Sequence, residues 1–138
     1  MKIFVAASYS SNVNYETGEV FPEYREWLEE NLVKLEKYGH EIFCALRADE
    51  YKINSNDPAE AFRLDESEIN TCDGLLSIIS SKSSEGVQTE IGIALGRDKF
   101  VVIAHELDVT LGYFNKAIIR SGRAKESSIP FTCDPFSG

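Results

Sequence analysis

The chain has 138 residues, which is enough for one folded domain, 1–138, with a core of ordinary size. Hydrophobic residues make up 43% of it and charged residues 27%, so a globular protein is expected. The net charge of −9 argues against binding a nucleic acid polymer or an anionic membrane, because such contacts need clustered Lys and Arg. A small phosphorylated molecule is not excluded, because backbone N–H groups at a helix start can hold it.

The residues that could bind a metal or form disulfides are few and scattered. The chain has an odd number of cysteines, and they are widely spaced: Cys44, Cys72 and Cys133. This pattern is typical of reduced thiols in a cytoplasmic protein. His40 and His105 are too scattered for a histidine-based metal site. The opening stretch "MKIFVAAS" has too short an apolar run for a signal peptide and fits a first strand. We therefore expect a cytoplasmic protein that needs neither a metal nor a cofactor.

The pattern of apolar residues predicts strands that alternate with helices. Strands are expected at the short apolar runs 2–8, 41–46, 75–80 and 99–105. Helices are expected where apolar residues recur every three or four positions, at 22–38, 58–71, 87–97 and 111–120. Segments 9–20 and 47–57 are polar and predict loops, and the signal is weak in the tail after 120.

This alternation predicts an α/β fold, an open parallel sheet with helices on both faces, of the Rossmann or flavodoxin type. In such sheets ligands bind beyond the carboxyl ends of the strands. Those ends fall at 6–10, 46–50, 80–86 and 104–108. A binding site is therefore expected among these four segments.

Glu90 stands out because it is an acid beside apolar residues, within "SSEGVQTEIGIALGR" at 83–97. One interpretation is a solvated acid that the helix dipole favours by ~0.3–1 kcal/mol. The other is a nucleophile or base that the same dipole keeps ionised. The serines and Gly86 before it are either a helix cap with a turn or a cradle for an anion or a hydroxyl group.

Two further residues are candidates for the same site. Asp65 shares one face of a predicted helix with Ile69 and Asp73, since the three are spaced by four. Asp65 is either an ordinary surface charge or a site acid. Tyr9 follows the first strand, and it is either an aromatic at the edge of the core or a hydroxyl that reaches a ligand.

Four motifs, in this order, resemble the nucleoside 2-deoxyribosyltransferase family, which includes the 2'-deoxynucleoside 5'-monophosphate N-hydrolases and the CMP N-hydrolases. They are "FVAASY", "D-x-x-x-I-x-x-x-D-G-L-L-S-I", "S-x-G-V-x-x-E-I-G-x-A" and "K-F-V-V-I". The resemblance covers 1–105, with a looser match over 111–122. It implies the same α/β fold and an enzyme that acts on nucleosides or nucleotides.

The resemblance also implies catalytic roles. The family's nucleophilic glutamate falls on Glu90, which would attack the anomeric carbon, expel the base and form a covalent glycosyl-enzyme. The family's aspartate falls on Asp65, which would assist the leaving base or hold the site. The family's tyrosine falls near Tyr9, which would hydrogen-bond to Glu90 and position it.

Substrate-binding positions follow from the same resemblance. They are Ala7, Ser8, Ser84, Gly86, Asn115 and Lys116. Transferases of the family often carry Asp at the position of Ser84, whereas the nucleotide hydrolases carry Ser. A hydroxyl group tolerates a neighbouring phosphate that a carboxylate would repel, which favours a nucleotide substrate. The family often completes each site with a residue from a neighbouring subunit, which implies a homo-oligomer.

The resulting prediction is cleavage of the N-glycosidic bond of a nucleoside or nucleoside 5'-monophosphate, with water or a second nucleobase as the acceptor. A carboxylate beneath an oxocarbenium-like centre suits this chemistry, which requires no metal or redox cofactor. Two alternatives stay open. One is a non-catalytic nucleotide-binding sensor on the same fold, and the other is an NAD-cleaving glycohydrolase.

Overall fold

The computed structural model describes residues 1–8, 11–53, 57–81 and 83–137. Its strands are β1 (Lys2–Ala7), β2 (Val13–Asn14), β3 (Glu19–Val20), β4 (Glu41–Cys44), β5 (Gly74–Ile79), β6 (Phe100–Glu106) and β7 (Lys125–Ile129). Its helices are α1 (Pro22–Lys37), α2 (Ala45–Ala48), α3 (Pro58–Thr71), α4 (Glu85–Gly96) and α5 (Tyr113–Arg120). None of these helices is long and apolar enough to cross a membrane.

Five of the strands form one parallel sheet in the order β4-β1-β5-β6-β7. Counted along the chain, this is the 2-1-3-4-5 order of flavodoxin-like folds. The predicted open parallel sheet is confirmed. Strands β2 and β3 form a separate antiparallel hairpin.

Helices cover both faces of the sheet because successive side chains of a strand point to opposite faces. On one face, Ile3 and Val5 of β1 share a buried cluster with Leu28 and Leu32 of α1. The opposite face holds a second cluster that joins strand residues to α3 and α4. Its fully buried members include Leu75, Ile69, Ile91 and Ala94.

The structure contains three elements that the sequence pattern does not reveal. The hairpin of β2 and β3 lies in the predicted loop 9–20, and its strands of two residues are too short to show a period. Helix α2 begins just before the predicted loop 47–57. Strand β7 has the sequence "KESSI" and mostly exposed side chains. It lies at the edge of the sheet, where polar residues are common, so it lacks the apolar run that predicts a strand.

The C-terminal segment is tied back to the amino-terminal half of the chain. His40 is buried, and its Nε2 lies 2.8 Å from a carboxylate oxygen of Asp134. Its Nδ1 lies 3.1 Å from the amino group of Met1. Phe136 packs edge-on against His40 and also lies over Gly74, where an added Cβ would stand 2.9 Å from the Phe136 ring. Glycine at the start of β5 therefore lets the C-terminal segment approach the sheet.

Replacing Leu32 by alanine is expected to lower the free energy of unfolding by about 2–5 kcal/mol, because the substitution leaves a cavity in the core. Leu32 has no exposed surface, whereas its neighbour Val33 is 40% exposed. Val33→Ala is therefore the matched control, with an expected change within about 0.5 kcal/mol. Urea unfolding followed by circular dichroism measures both, and equal effects would contradict the assigned burial.

Candidate active site

A cavity of about 240 Å³ lies at the carboxyl ends of β1 and β4, where a parallel sheet is expected to bind its ligand. Strand residues such as Phe4 and Phe43 form part of its wall. The ionisable side chains in its lining, apart from the Cys44 thiol, are Asp49, Lys52, Asp65 and Glu90. The cavity therefore combines an apolar floor with a concentration of carboxyl groups.

Two helices bring the predicted acids together. Asp65 lies on α3 and Glu90 on α4, and the two helices pack side by side on one face of the sheet. Helix α4 is seated on the sheet by the buried residues Val87, Ile91 and Ala94. The acids are 25 positions apart in sequence, but both line this cavity and each affects the pKa of the other.

The Asp65–Glu90 hydrogen bond requires a proton, because two ionised carboxylates cannot donate to each other. Burial raises the pKa of Glu90, and the hydrogen bond and negative charge of Asp65 raise it further. Burial also raises the pKa of Asp65 above its ordinary value, and the charges of Asp49 and Glu68 add to this, against the opposing effect of its hydrogen bond with Glu90. Both pKa values are therefore raised, and the pair favours a state that retains a proton.

The expectation that the helix dipole keeps Glu90 ionised is wrong for the free protein. Glu90 lies five residues after Glu85, the first residue of α4, and the dipole acts mainly within the first turn. Burial and the neighbouring Asp65 raise the pKa of Glu90 by more than the helix dipole lowers it. In the free protein the pKa of Glu90 is therefore raised, which favours its protonated form.

The start of α4 contributes a different kind of group to the cavity. Ser84 is the N-cap residue, and its hydroxyl oxygen accepts a hydrogen bond from the backbone N–H of Val87 at 3.3 Å. Gly86 follows, exposed, and both Ser84 and Gly86 line the cavity. Backbone N–H groups at a helix start attract anions, so this corner suits a negatively charged part of a ligand.

Of the residues predicted at the end of β1, Ala7 lines the cavity. Ser8 is half-buried at the strand end, and its carbonyl oxygen accepts a hydrogen bond from the side chain of Asn12 at 3.1 Å. Tyr9, the third predicted catalytic residue, lies outside the described residues.

Asn115 and Lys116 do not lie in this cavity within one chain. Asn115 is buried on α5 and lines a separate groove of about 570 Å³ between α4 and α5, which Gln88 and Phe114 also line. The side-chain oxygen of Asn115 has no hydrogen-bond partner among the described residues. Lys116 is exposed on the same helix.

The cavity also contains two charged residues that were not predicted, Asp49 and Lys52. Both belong to a segment that the sequence predicts only as a polar loop. The one signal that could have found them is position, because the segment follows β4 and so lies at the ligand-binding edge of the sheet. Among the described residues, no group of three or more His, Cys, Asp or Glu side chains is placed to hold a metal ion.

No known family model matches the chain, and no curated protein matches it. Solved structures do match. The CMP N-glycosidase BcmB of Clostridium botulinum aligns over 95% of this chain and 91% of its own, at 18% identity and a TM-score of 0.65. The protein BlsM aligns over 94% of this chain and 81% of its own, at 23% identity and a TM-score of 0.74.

A third similar structure is a 2-deoxyribosyltransferase from Bacillus psychrosaccharolyticus. It aligns over 81% of this chain and 77% of its own, at 19% identity and a TM-score of 0.58. The chain therefore has the flavodoxin-like fold of a CMP N-glycosidase and a 2-deoxyribosyltransferase, which is the fold that the sequence resemblance implied.

Proposed function

We propose that residues 1–138 form one domain of a cytoplasmic enzyme that cleaves the N-glycosidic bond of a nucleoside or nucleoside 5'-monophosphate. The observation that carries the proposal is the meeting of two carboxyl groups, Asp65 of α3 and Glu90 of α4, in the cavity at the carboxyl edge of the sheet. Two carboxyl groups that share one proton can supply a nucleophile and an acid at the same time. The likeness to a CMP N-glycosidase and a 2-deoxyribosyltransferase supports the same chemistry.

The family resemblance supports the two roles, with Glu90 as the nucleophile and Asp65 as the acid. When a substrate binds, the proton moves to Asp65 and leaves Glu90 as a carboxylate below the anomeric carbon. An oxygen of Glu90 forms a bond to C1' while the C1'–N bond breaks, and Asp65 gives its proton to the departing base. Water or a second base then attacks C1' and frees Glu90, and Asp65 takes up the proton that the attacking group loses.

The binding residues complete this arrangement. Ser84 and Gly86 would hold the 5' end of the sugar at the start of α4, where N–H groups favour an anion. The hydroxyl group of Ser84 tolerates a 5'-phosphate that a carboxylate at this position would repel. Ala7 and Ser8 would border the sugar, and Tyr9 would orient Glu90. Water as the acceptor makes the enzyme a hydrolase, and a second base makes it a transferase.

Asn115 and Lys116 are proposed to act across a subunit interface, since within one chain neither lines the Glu90 cavity. The neighbouring aromatic residues Tyr113 and Phe114 are 82% and 72% exposed. Exposed aromatic side chains of this size are typical of a protein interface. A homo-oligomer would cover them and bring the two α5 residues to the site of a second copy.

Light scattering coupled to size-exclusion chromatography is expected to give the mass of a dimer or a larger oligomer. Phe114→Ser should shift that mass towards the monomer, because it removes an apolar contact from the interface. Phe100→Ser is the control, since Phe100 is 69% exposed at the opposite end of the sheet's strands. A monomer that retains full activity would contradict the shared site.

Glu90→Gln is expected to lower the rate of base release by at least about a thousandfold, because an amide cannot form the glycosyl-enzyme. Glu85→Gln is the control, since Glu85 is an exposed acid in the first turn of the same helix. The measurement is chromatography of the freed base. The panel holds ribo- and deoxyribonucleosides, their 5'-monophosphates and NAD, each with and without a second base.

The panel also separates the possible outcomes. A freed base without an acceptor identifies a hydrolase, and a new nucleoside that forms only with a second base identifies a transferase. Release of nicotinamide from NAD would instead identify an NAD glycohydrolase. If wild-type protein cleaves none of these compounds, or Glu90→Gln cleaves them at the wild-type rate, the proposed function is wrong.

The shared proton also predicts how stability depends on pH. The pKa of Glu90 is raised in the folded protein above its ordinary 4.5, so between these two values the folded state binds more protons than the unfolded state. The free energy of unfolding must then fall as the pH rises through that interval. Glu90→Gln lacks this titration, so its stability relative to the wild type should increase with pH.

Urea unfolding of both proteins from about pH 5 to about pH 9 measures this difference. Glu85→Gln again serves as the control and should follow the wild type. Parallel curves for wild type and Glu90→Gln would show that folding does not raise the pKa of Glu90. The prediction that the folded protein keeps a proton on the pair would then be wrong.

A further inference from the structure

The wall of the cavity formed by residues 49–52, here called the 49–52 turn, has an unusual backbone. Glu50 and Tyr51 both lie in the left-handed region, with φ of 56° and 60°. Two consecutive residues with side chains in this region are uncommon, and a bulky aromatic there is a true outlier. Such a conformation persists only where the surrounding structure holds it in place.

The backbone of the turn is held from two sides. The N–H of Tyr51 donates to the carbonyl of Leu46 in α2 at 2.8 Å. The carbonyl of Tyr51 accepts from the N–H of Val20 in β3 at 2.9 Å, and the N–H of Ile53 donates to the carbonyl of Gly18 at 2.7 Å. The turn is thus attached both to the helix before it and to the small hairpin.

The side chain of Tyr51 provides a third attachment. Tyr51 is only 5% exposed, and its hydroxyl group donates a hydrogen bond to a carboxylate oxygen of Glu29 on α1. Arg47 of α2 binds the same carboxylate through two hydrogen bonds, of 3.1 and 2.8 Å. The guanidinium carbon of Arg25 lies 4.8 Å from the centre of the Tyr51 ring. We call Glu29, Arg47 and Tyr51 the clasp.

The clasp lies apart from the carboxyl pair. Neither Glu29 nor Tyr51 lines the Glu90 cavity, and α1 covers the face of the sheet opposite to α3 and α4. The turn that the clasp holds does reach the cavity, through Asp49 and Lys52. Asp49 lines the cavity together with Asp65, and its negative charge raises the pKa of Asp65.

These two side chains have the chemistry to bind a substrate. A carboxylate such as Asp49 accepts hydrogen bonds from the N–H groups of a nucleobase. Lys52 is the only Lys or Arg among the described residues that line the cavity, and an ammonium group there attracts a phosphate. Both depend on the 49–52 turn for their position, since neither belongs to a strand of the sheet or a helix.

We propose that the clasp is a positioning device, in which Tyr51, fixed by Glu29 and Arg47, holds Asp49 and Lys52 where they bind the base and phosphate of a nucleoside 5'-monophosphate. The proposal rests on the proposed function. It assigns binding to the turn and chemistry to the Asp65–Glu90 pair, and these two contributions can be measured separately.

Tyr51→Phe tests the proposal because it keeps the ring and removes only the hydroxyl group. With the best 5'-monophosphate of the panel as substrate, KM should rise about tenfold, the usual effect of losing a hydrogen bond to a charged group. The value of kcat should stay within about twofold, because the carboxyl pair on α3 and α4 is untouched. Glu29→Gln is the second variant and should raise KM in the same way.

Glu36→Gln is the matched control. Glu36 accepts hydrogen bonds from Arg47 at 3.1 and 2.9 Å, but it does not touch Tyr51. It should leave KM at the wild-type value. If Glu36→Gln raises KM as much as Tyr51→Phe does, the effect comes from general packing between α1 and α2, and the proposal is wrong.

Amide hydrogen exchange supplies a readout that does not depend on catalysis. The amides of Tyr51 and Ile53 should lose protection in Tyr51→Phe and keep it in Glu36→Gln, because only the first change frees the turn. Unchanged protection in Tyr51→Phe would show that the clasp does not hold the turn. Lost protection with an unchanged KM would show that the turn does not position the substrate.

The clasp can still be tested if the proposed function is wrong. If wild-type protein releases no base, calorimetry with CMP, dCMP, AMP and dAMP measures binding directly. A Kd that rises about tenfold in Tyr51→Phe would then support the clasp without the chemistry. The absence of binding to wild-type protein, or equal Kd values for wild type and Tyr51→Phe, would overturn the clasp.

Discussion

Strand β5 is buried at each of its six positions, and the arrangement of the other elements depends on that burial. A strand without an exposed side chain must be covered on both faces, so helices have to pack above and below it. It must also have strands on both sides to satisfy its backbone, and β1 and β6 provide them. The chain then leaves β5 at the carboxyl edge and enters α4, which is how the start of that helix comes to border the cavity.

Burial stabilises the apolar core, but it destabilises the ionised form of the two carboxyl groups. The same packing of α3 and α4 that stabilises the core leaves Asp65 and Glu90 only partly exposed to water, and removing a charge from water is costly. The pair reduces that cost by keeping a proton. A protein selected only for stability would not place two acids there, so this local cost is a reason to regard the cavity as a functional site.

The cavity is also assembled from both sides of the sheet. The acids come from the helices on one face, whereas the 49–52 turn is held by α1 from the other face. A flavodoxin-like sheet allows this because its loops at the carboxyl edge belong to neither face. In the proposed enzyme, the nucleophile and the binding groups can therefore change independently, which is one way in which a single fold accommodates different nucleosides or nucleotides.

The α/β fold can be predicted from the amino-acid pattern, because continuous apolar runs and helical spacing report burial locally, and the same pattern indicates Asp65 and Glu90 as candidate acids. Contacts between distant residues are visible only in the folded chain: the meeting of those acids in one cavity, the approach of Asp49 and Lys52 to them, and the separate groove of Asn115. Strand β7 and the small hairpin were also beyond the sequence pattern, since an exposed edge and two-residue strands leave no apolar period. A local pattern shows that a residue is buried, but only packing shows what lies beside it.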